Sequence, residues 1–526
     1  MKKILSGTLL LALILSLNAC KKLDLAPEDY FASESFWKTP AQVDGAMVGL
    51  HNQLRGFQFT LFTLGELRGG VFKDATGATG TSSLNSGAVI RQDVRESSPG
   101  ISGWAGLYGP IFQVNNFIYQ VEKATYLPEG DKKYYLGQAY ALRANYYFHL
   151  FRTYGRVPLA TEPKVLISTP SSASDAYLAR TKTEKETFDF IKADIDKSVT
   201  NFAGNYAVKF QQAQWSLAAT QMLKAEVYLW SAKVKLDGVA PANTTADLVT
   251  ARAAVEDAIT KCTKQNNFAD IFKTKGNSEI IFAMRFQVGE ASNNYGQFIY
   301  AQTDPMASFV NAAGAPLTSD QVGSSPADPL KVAGGGTIIR YEYKYDLFAK
   351  YDTALDKRAR ATFFDFYKTP FTASTKFINL RKFLGVMDGT NRSFTDDVPV
   401  YRWAEAMLLL AEIKNKQGHD PAAEINAVRQ RAYGSNTAPV FVSGSFEQNE
   451  LAIFEERGKE LVAEGKRWYD LRRMQDASGD PLAFRKDLPL VGVLDKATES
   501  HKLIWPIDRS TLTSDPTLSG NQNPGY

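Results

Sequence analysis

His51, His149, His419 and His501 are the only histidines of this 526-residue chain, and no two stand at the i, i+4 spacing that turns a pair toward one metal ion from a helix. Nucleophile chemistry is no better supported. There is no Gly-x-Ser-x-Gly elbow to expose a serine and no Gly-x-x-x-x-Gly-Lys loop to cradle phosphate. Gly334-Gly335-Gly336 follows no strand pattern and opens no helix, so it reads as linker. Glycosidase carboxylates are defined by their separation in space. Among 56 acids that separation is not legible, and the question stays open. His149 falls within a patterned helix and reads as a packing residue. No catalytic residue, cofactor or metal ligand is assigned, and nothing argues for an enzyme.

The thiols carry more information. Lys2 and Lys3 precede an apolar run from Ile4 to Leu17, which ends at Leu17-Asn18-Ala19-Cys20. A charged start, an apolar stretch and a small-residue site make residues 1–19 a secretory signal, and the stretch is too short for the ~20 residues of a spanning helix. Leu-x-Ala-Cys resembles the lipobox of bacterial lipoproteins, whose cysteine takes a diacylglycerol; Cys20 is then the lipidation site, and its acyl chains hold the protein on a membrane. Only Cys262 remains, so no internal disulfide is possible. A content of 44% hydrophobic and 12% aromatic residues supports a large core. With 60 basic against 56 acidic side chains, the charge gives no reason to expect nucleic acid.

The elements that must position any site are mostly helices. Apolar residues spaced alternately by three and four form stripes at Trp104, Leu107, Ile111, Val114, Ile118, Val121; at Ala139, Leu142, Tyr146, Leu150; and at Trp215, Ala218, Met222, Ala225, Leu229, Ala232. Two more run Val400, Trp403, Ala404, Met407, Leu408, Ala411 and Leu451, Phe454, Leu461, Trp468. Gly418 ends one helix and Asp420-Pro421 starts the next, a tight hairpin similar to one tetratricopeptide repeat. Tyr154-Gly155 before Val157-Pro158 reads as a helix stop. Gly465 inside a helical pattern signals close backbone packing or a helix end. Ile339 to Leu347 alternates apolar and charged residues, which predicts one strand with its tyrosines on a buried face. Between helices lie long polar loops, Lys73 to Gly103, Gln287 to Gln302 and Thr303 to Thr337, where a ligand is expected.

The helices also carry recognisable blocks: Trp104-Ala105-Gly106-Leu107-Tyr108 with Asn115-Asn116; Ala141 to Phe148 followed by Tyr154-Gly155-Arg156-Val157-Pro158-Leu159; Arg402-Trp403-Ala404-Glu405-Ala406; Arg429-Gln430-Arg431-Ala432; Glu455-Glu456-Arg457; and Glu464 to Arg473. In this order they resemble the SusD-like (RagB/SusD) family of outer-membrane nutrient-binding lipoproteins. Arg143, Glu405, Glu460, Glu464 and Arg467 lie on or beside apolar stripes and read as scaffold, since a charge there is tolerated chiefly when paired.

The resemblance implies a mainly α fold, an α/α superhelix with four tetratricopeptide-like helix pairs, long loops and a few short strands. It implies residues 20–30 as a lipidated tether and 31–526 as a single helical domain, with the C-terminal signature over about 275–526. The implied role is to capture an oligomeric nutrient, a glycan or in some members a peptide, and to act as lid of a SusC-like TonB-dependent channel. The place is the outer membrane, facing the cell exterior. Aromatic platforms and polar partners for such a ligand are expected from loops. Candidates are Arg68, Phe72 and Asp74 at the mouth of the first polar loop, and Asn294, Tyr295 and Tyr300 in the second. Gly70 stands where relatives often carry an aspartate, and Lys21-Lys22 follow Cys20 where acidic residues accompany outward export.

Overall fold

Thr39 opens the first long helix with a reciprocal cap: its hydroxyl accepts from the Gln42 N–H while the Gln42 side chain accepts from the Thr39 N–H, and Pro40 fills the first turn. Similar hydroxyl caps at Thr183, Ser216 and Ser445 start later helices. The computed structural model describes residues 36–74, 86–100, 104–168, 175, 177–298, 309–316, 341–372, 375–389, 391–434 and 437–526. Residues 1–19, Cys20, the 20–30 tether, Tyr300 and Gly334-Gly335-Gly336 lie outside them.

The main helices of the first half are α1 (Pro40–Gly56), α2 (Gln58–Glu66), α3 (Tyr108–Lys123), α4 (Glu129–Tyr154), α5 (Glu184–Phe202), α6 (Leu217–Lys233) and α7 (Thr244–Ile259). Those of the second half are α8 (Trp403–Lys416), α9 (Ala422–Tyr433), α10 (Phe446–Glu460) and α11 (Arg467–Arg473). They stack in pairs, α1 with α3, α4 with α5, α6 with α7 and α8 with α9, and each pair touches the next. This succession is the expected mainly helical superhelix. The stripes read from sequence face inward, with Ile111, Leu142, Met222 and Leu408 all sealed from solvent. α4 is buried almost all round, which is why its pattern shows little polarity of face, and Gly155 in the left-handed region (φ 71°) stops it. One continuous core runs from Val43 to Leu518 and includes Trp215, Trp230, Trp468 and Trp505.

Among the described residues the strands come as three two-stranded antiparallel ladders. β1 (Ile280–Met284) pairs with β6 (Val398–Arg402) across more than a hundred residues, and the hairpins are β2 (Phe363–Tyr367) with β3 (Lys376–Leu380) and β4 (Val386–Asp388) with β5 (Asn391–Ser393).

Two expectations need correction. The described part of the segment 339–347, residues 341–347, is not a strand; 339 and 340 lie outside the described residues. Among its described residues, Tyr343 forms a single bridge to Phe72, and a short helix begins at Tyr345. Tyr341 and Tyr343 are buried as expected, but so is the alternating Glu342, because Lys73 reaches its carboxylate. The Leu451–Trp468 stripe is two helices, α10 and α11. Gly465 (φ 71°) sits in the turn between them, and a methyl added to Gly65 of α2 would stand 1.8 Å from the Gly465 carbonyl oxygen. Gly465 is therefore both a helix break and a close backbone contact.

Buried charge locks this half of the chain. Arg402 donates to Glu279 (3.0 Å), Glu460 (2.6 Å) and Glu464 (2.7 Å), and Arg358 reaches Asp356, Glu456 and Glu460 within 3.1 Å. Burial opposes the charge on Glu460, but Arg431, Arg402 and Arg358 outweigh it and hold the carboxyl far below its ordinary range. Arg143 bonds Asp194 with two nitrogens at 2.7 and 2.8 Å. Glu405 takes Lys466 at 2.9 Å, and Arg467 donates to the Gly69 carbonyl at 2.8 Å. The motif charges serve the scaffold.

Candidate functional site

The first polar loop leaves the core through an extended run paired with 341–344. Lys73 N–H donates to the Glu342 carbonyl and Lys344 N–H to the Val71 carbonyl, both at 2.8 Å. This pairing turns Phe72 inward, where its ring lies 4.3 Å from that of Tyr343 and is 1% exposed. Lys73 bonds Glu342 and places its ammonium 4.8 Å above the Phe377 ring. Asp74 is the first exposed residue of the run, after the partly exposed Lys73. It accepts from Arg91 at 2.5 Å, with both side chains half exposed.

The second loop is anchored the same way. Asn293 accepts from the Tyr295 N–H and donates to the Asp396 carbonyl, both at 3.1 Å. Tyr295 then stacks on Phe383 at 4.4 Å, with its hydroxyl on the Ala463 carbonyl. Asn294, between the two anchors, is exposed.

A row of rings joins the two loop bases beneath the surface: Phe72 to Tyr341 (6.5 Å), Tyr341 to Phe59 (5.7 Å), Phe59 to Phe62 (5.7 Å), and Phe62 to Tyr295 (5.6 Å). The first two of the three loops expected to carry a ligand thus spring from opposite ends of one aromatic layer, and most of the third, Thr303 to Thr337, lies outside the described residues. Beneath it lies Glu66, whose carboxyl burial pushes up to about 7 despite the pull of Arg467. Burial and the Glu66 charge raise the Tyr295 and Tyr343 hydroxyls well above their usual range, so both stay protonated donors.

The sequence candidates therefore divide. Arg68, Phe72 and Tyr295 are core residues with no surface for a ligand. Arg68 is fully buried because its guanidinium lies 4.1 Å over Trp468 and 5.2 Å over Trp505 while Gln92 accepts from its Nε at 2.7 Å. Asp74 and Asn294 are exposed at the two loop mouths, and Tyr300 lies outside the described residues. Sequence reasoning missed Arg91, the partner of Asp74. The alternation Arg91, Asp93, Arg95 was its only local signal, and Asp93 and Arg95 form a second exposed pair at 2.7 Å.

His149 is a packing residue, as its place in a patterned helix implied. Burial drives His149 well below its usual value, and it sits beside Arg152 and Tyr469. The Cys262 thiol is raised to about 12 by burial. Among the described residues no three His, Cys, Asp or Glu side chains converge to hold a metal ion. A cavity of about 710 Å³ lies elsewhere, between Trp230, Lys235 and Arg472.

Stacked helix pairs with short strands and two loops rooted in one aromatic layer define a helical binding scaffold. Residues 368–526 match the SusD family, and residues 28–229 match a family described as starch-binding and associating with the outer membrane. A SusD superfamily protein from Bacteroides fragilis is 36% identical with a TM-score of 0.83, over 93% of this chain and all of that one. NanU of B. fragilis is 35% identical with a TM-score of 0.79, over 95% and 99%. SusD-like protein P38 of Formosa agariphila is 24% identical over 99% of both chains. The chain belongs to the SusD family.

Proposed function

We propose that this protein is a cell-surface lipoprotein that captures an oligosaccharide and passes it, without breaking a bond, to a TonB-dependent outer-membrane channel on which it sits as a lid. Cys20 anchors it by lipid after residues 1–19 are removed, and residues 20–30 act as the tether. The observation that carries the binding reading is the Asp74–Arg91 pair at the loop mouth. A carboxylate and a guanidinium side by side, half in water, can bond neighbouring hydroxyls as acceptor and donor, and so little is gained from the pair itself that a ligand can take it over. Asn294 marks the other side of the same ligand surface, and Tyr300 lies in the segment that follows it. The family description, starch-binding and associating with the outer membrane, supports a glycan and that membrane.

Calorimetry of the detergent-solubilised mature protein against starch-derived and other oligosaccharides tests this. At least one glycan is expected to release heat, and Asp74→Ala or Arg91→Ala to weaken it about tenfold, a loss of roughly 1.4 kcal/mol. Heat with peptides alone, hydrolysis of any glycan, or silence across the library each refutes the reading. Cys20→Ala is expected to leave the protein soluble, and affinity capture of the native protein to bring down a channel of the outer membrane.

A further inference from the structure

The cavity of about 710 Å³ lies where the ends of α4 and α6 and the start of α5 meet α11 and the segments 479–504 and 523–524. None of the residues lining it belongs to the three polar loops. Leu236, Phe484, Leu503 and Ile504, all partly exposed, give it an apolar side. Arg472 of α11 is the charged group deepest in its wall, 7% exposed, with its guanidinium 5.2 Å over the Trp230 ring and 5.9 Å over that of Trp468.

What Arg472 lacks is an acid. Among the described residues it makes a single hydrogen bond, from Nη1 to the Arg152 carbonyl. Its Nε and Nη2 have no partner there and, unlike Nη1 of Arg68, neither is sealed in the interior, so this edge of the guanidinium is open to the cavity. Elsewhere in the fold the same edge has one use. Arg143, Arg402 and Arg473 each present Nε and Nη2 to the two oxygens of one carboxylate, those of Asp194, Glu464 and Glu412, at 2.7 to 3.0 Å. Without such a partner, burial and the neighbouring Arg68 charge bring the Arg472 guanidinium down to about 9, still charged at neutral pH.

The acids of the wall are committed to other donors. Glu184, whose charge Arg472 feels, makes no ion pair with it and accepts instead from the Asp237 N–H at 2.7 Å; Asp237 accepts from the Glu184 N–H at 2.9 Å, and Asp480 holds Lys496. At the mouth, the exposed Lys182 and Lys235 form no ion pair among the described residues. The cavity is therefore short of negative charge.

We propose that this cavity binds a small organic acid, whose carboxylate takes the open Nε–Nη2 edge of Arg472 while its body packs against Phe484 and Ile504. The planar fork matches the two oxygens of a carboxylate, and Lys182 and Lys235 draw an anion inward. The volume falls within the roughly 300–1,000 Å³ of small-ligand pockets. An acid carried on a sugar and a free, non-sugar acid offer the same carboxylate, and the experiment separates them. This site stands independently of the loop-mouth surface.

The test is calorimetric titration of the detergent-solubilised mature protein with methyl glucuronide as sugar acid and N-acetylphenylalanine as free acid. Methyl glucoside and N-acetylphenylalaninamide are their uncharged counterparts. At least one acid is expected to bind, and both its counterpart and the variant Arg472→Lys, which keeps the charge but loses the fork, to give affinity at least about tenfold weaker. The acid that binds names the source. Should Arg472→Lys fold poorly, the double variant Lys182→Ala/Lys235→Ala alters only exposed side chains; it is expected to melt with the parent and bind about threefold more weakly. A crystal soaked with the better acid should show its carboxylate on Nε and Nη2. Silence with both acids, equal affinity for an acid and its counterpart, water or an adventitious ion only at Arg472, or binding unchanged in the variants overturns the proposal. Asp74→Ala is the separating control and is expected to leave acid binding intact. If it abolishes that binding, the acids sit at the loop mouth and this proposal falls; if no oligosaccharide binds while an acid still occupies Arg472, only the loop-mouth reading falls.

Discussion

Glu66 shows how a single buried acid reports on the ground beneath the loops. Its Oε1 accepts weakly from Tyr343 and the Ala463 N–H, its Oε2 has no partner among the described residues, and burial raises it to about 7. A raised carboxyl keeps its proton in the fold while the unfolded chain loses its own near 4.5, so stability is full below about 4.5 and declines as pH rises toward 7. Glu66→Gln mimics the protonated form. Urea titrations should find it more stable than the parent at pH 8, by about 1–3 kcal/mol, with the gain gone at pH 4.5. An equal gain or loss at both pH values would show that Glu66 does not titrate this way. Asp74 and Arg91 are the contrasting case: a half-exposed pair is worth about 0–1 kcal/mol, so their substitution should move binding and leave the melting curve nearly in place.

At the scale of elements, the junction of α2 with the α10–α11 turn is the tightest point near the site. Gly65 and Gly465 touch backbone to backbone, and Gly465 also needs its positive φ. Gly465→Ala should cost about 1–2 kcal/mol from the left-handed conformation alone. Gly65→Ala forces a methyl onto a carbonyl oxygen and should cost about 1–3 kcal/mol or more, since neither helix can withdraw without uncovering Tyr469 and Phe62. Denaturant midpoints would check both, and a neutral Gly65→Ala would mean the helices are not so close. Because Glu66 and Tyr295 lie on this junction, loosening it should also weaken glycan binding before the protein unfolds.

Across the whole molecule, ion pairs between distant segments join the helix stack to the C-terminal signature. Glu226 of α6 accepts from Arg152 of α4 at 2.6 Å and from Tyr401 of β6 at 3.1 Å. Burial works against its charge, but Arg152 and Lys466 prevail and bring it to about 2. A depressed carboxyl stabilises the fold above the unfolded value of 4.5 and loses that contribution as pH falls toward 2. His51, lowered to about 4 by burial, adds a loss that begins below 6.5. Thermal melts should therefore fall steeply below pH 4.5, and Glu226→Gln should flatten that fall while lowering stability at neutral pH. Glu460→Gln is expected to cost about 3–5 kcal/mol at pH 7, because Arg402, Arg431 and Arg358 lose a shared partner in a sealed interior. A loss below 1 kcal/mol would indicate that the network relaxes onto its other acids.

What the sequence determined by itself was the local order. Helix stripes, the Tyr154-Gly155 stop, the Gly418 to Pro421 hairpin and the warning at Gly465 are carried by spacing within a few turns, and helices obey short-range rules. The blocks from Trp104 to Arg473 carried the family as well. Only the tertiary structure decided which polar-loop residues meet water. Arg68, Phe72 and Tyr295 have the composition of a surface site, yet Trp468 and Trp505, Tyr343, and Phe383 cover them from far along the chain. The alternation of 339–347 fell to the same cause, since a strand needs a ladder and Tyr343 finds a single rung at Phe72. Arg91 became visible only when folding set it against Asp74: burial and pairing are sums over contacts that no local pattern contains.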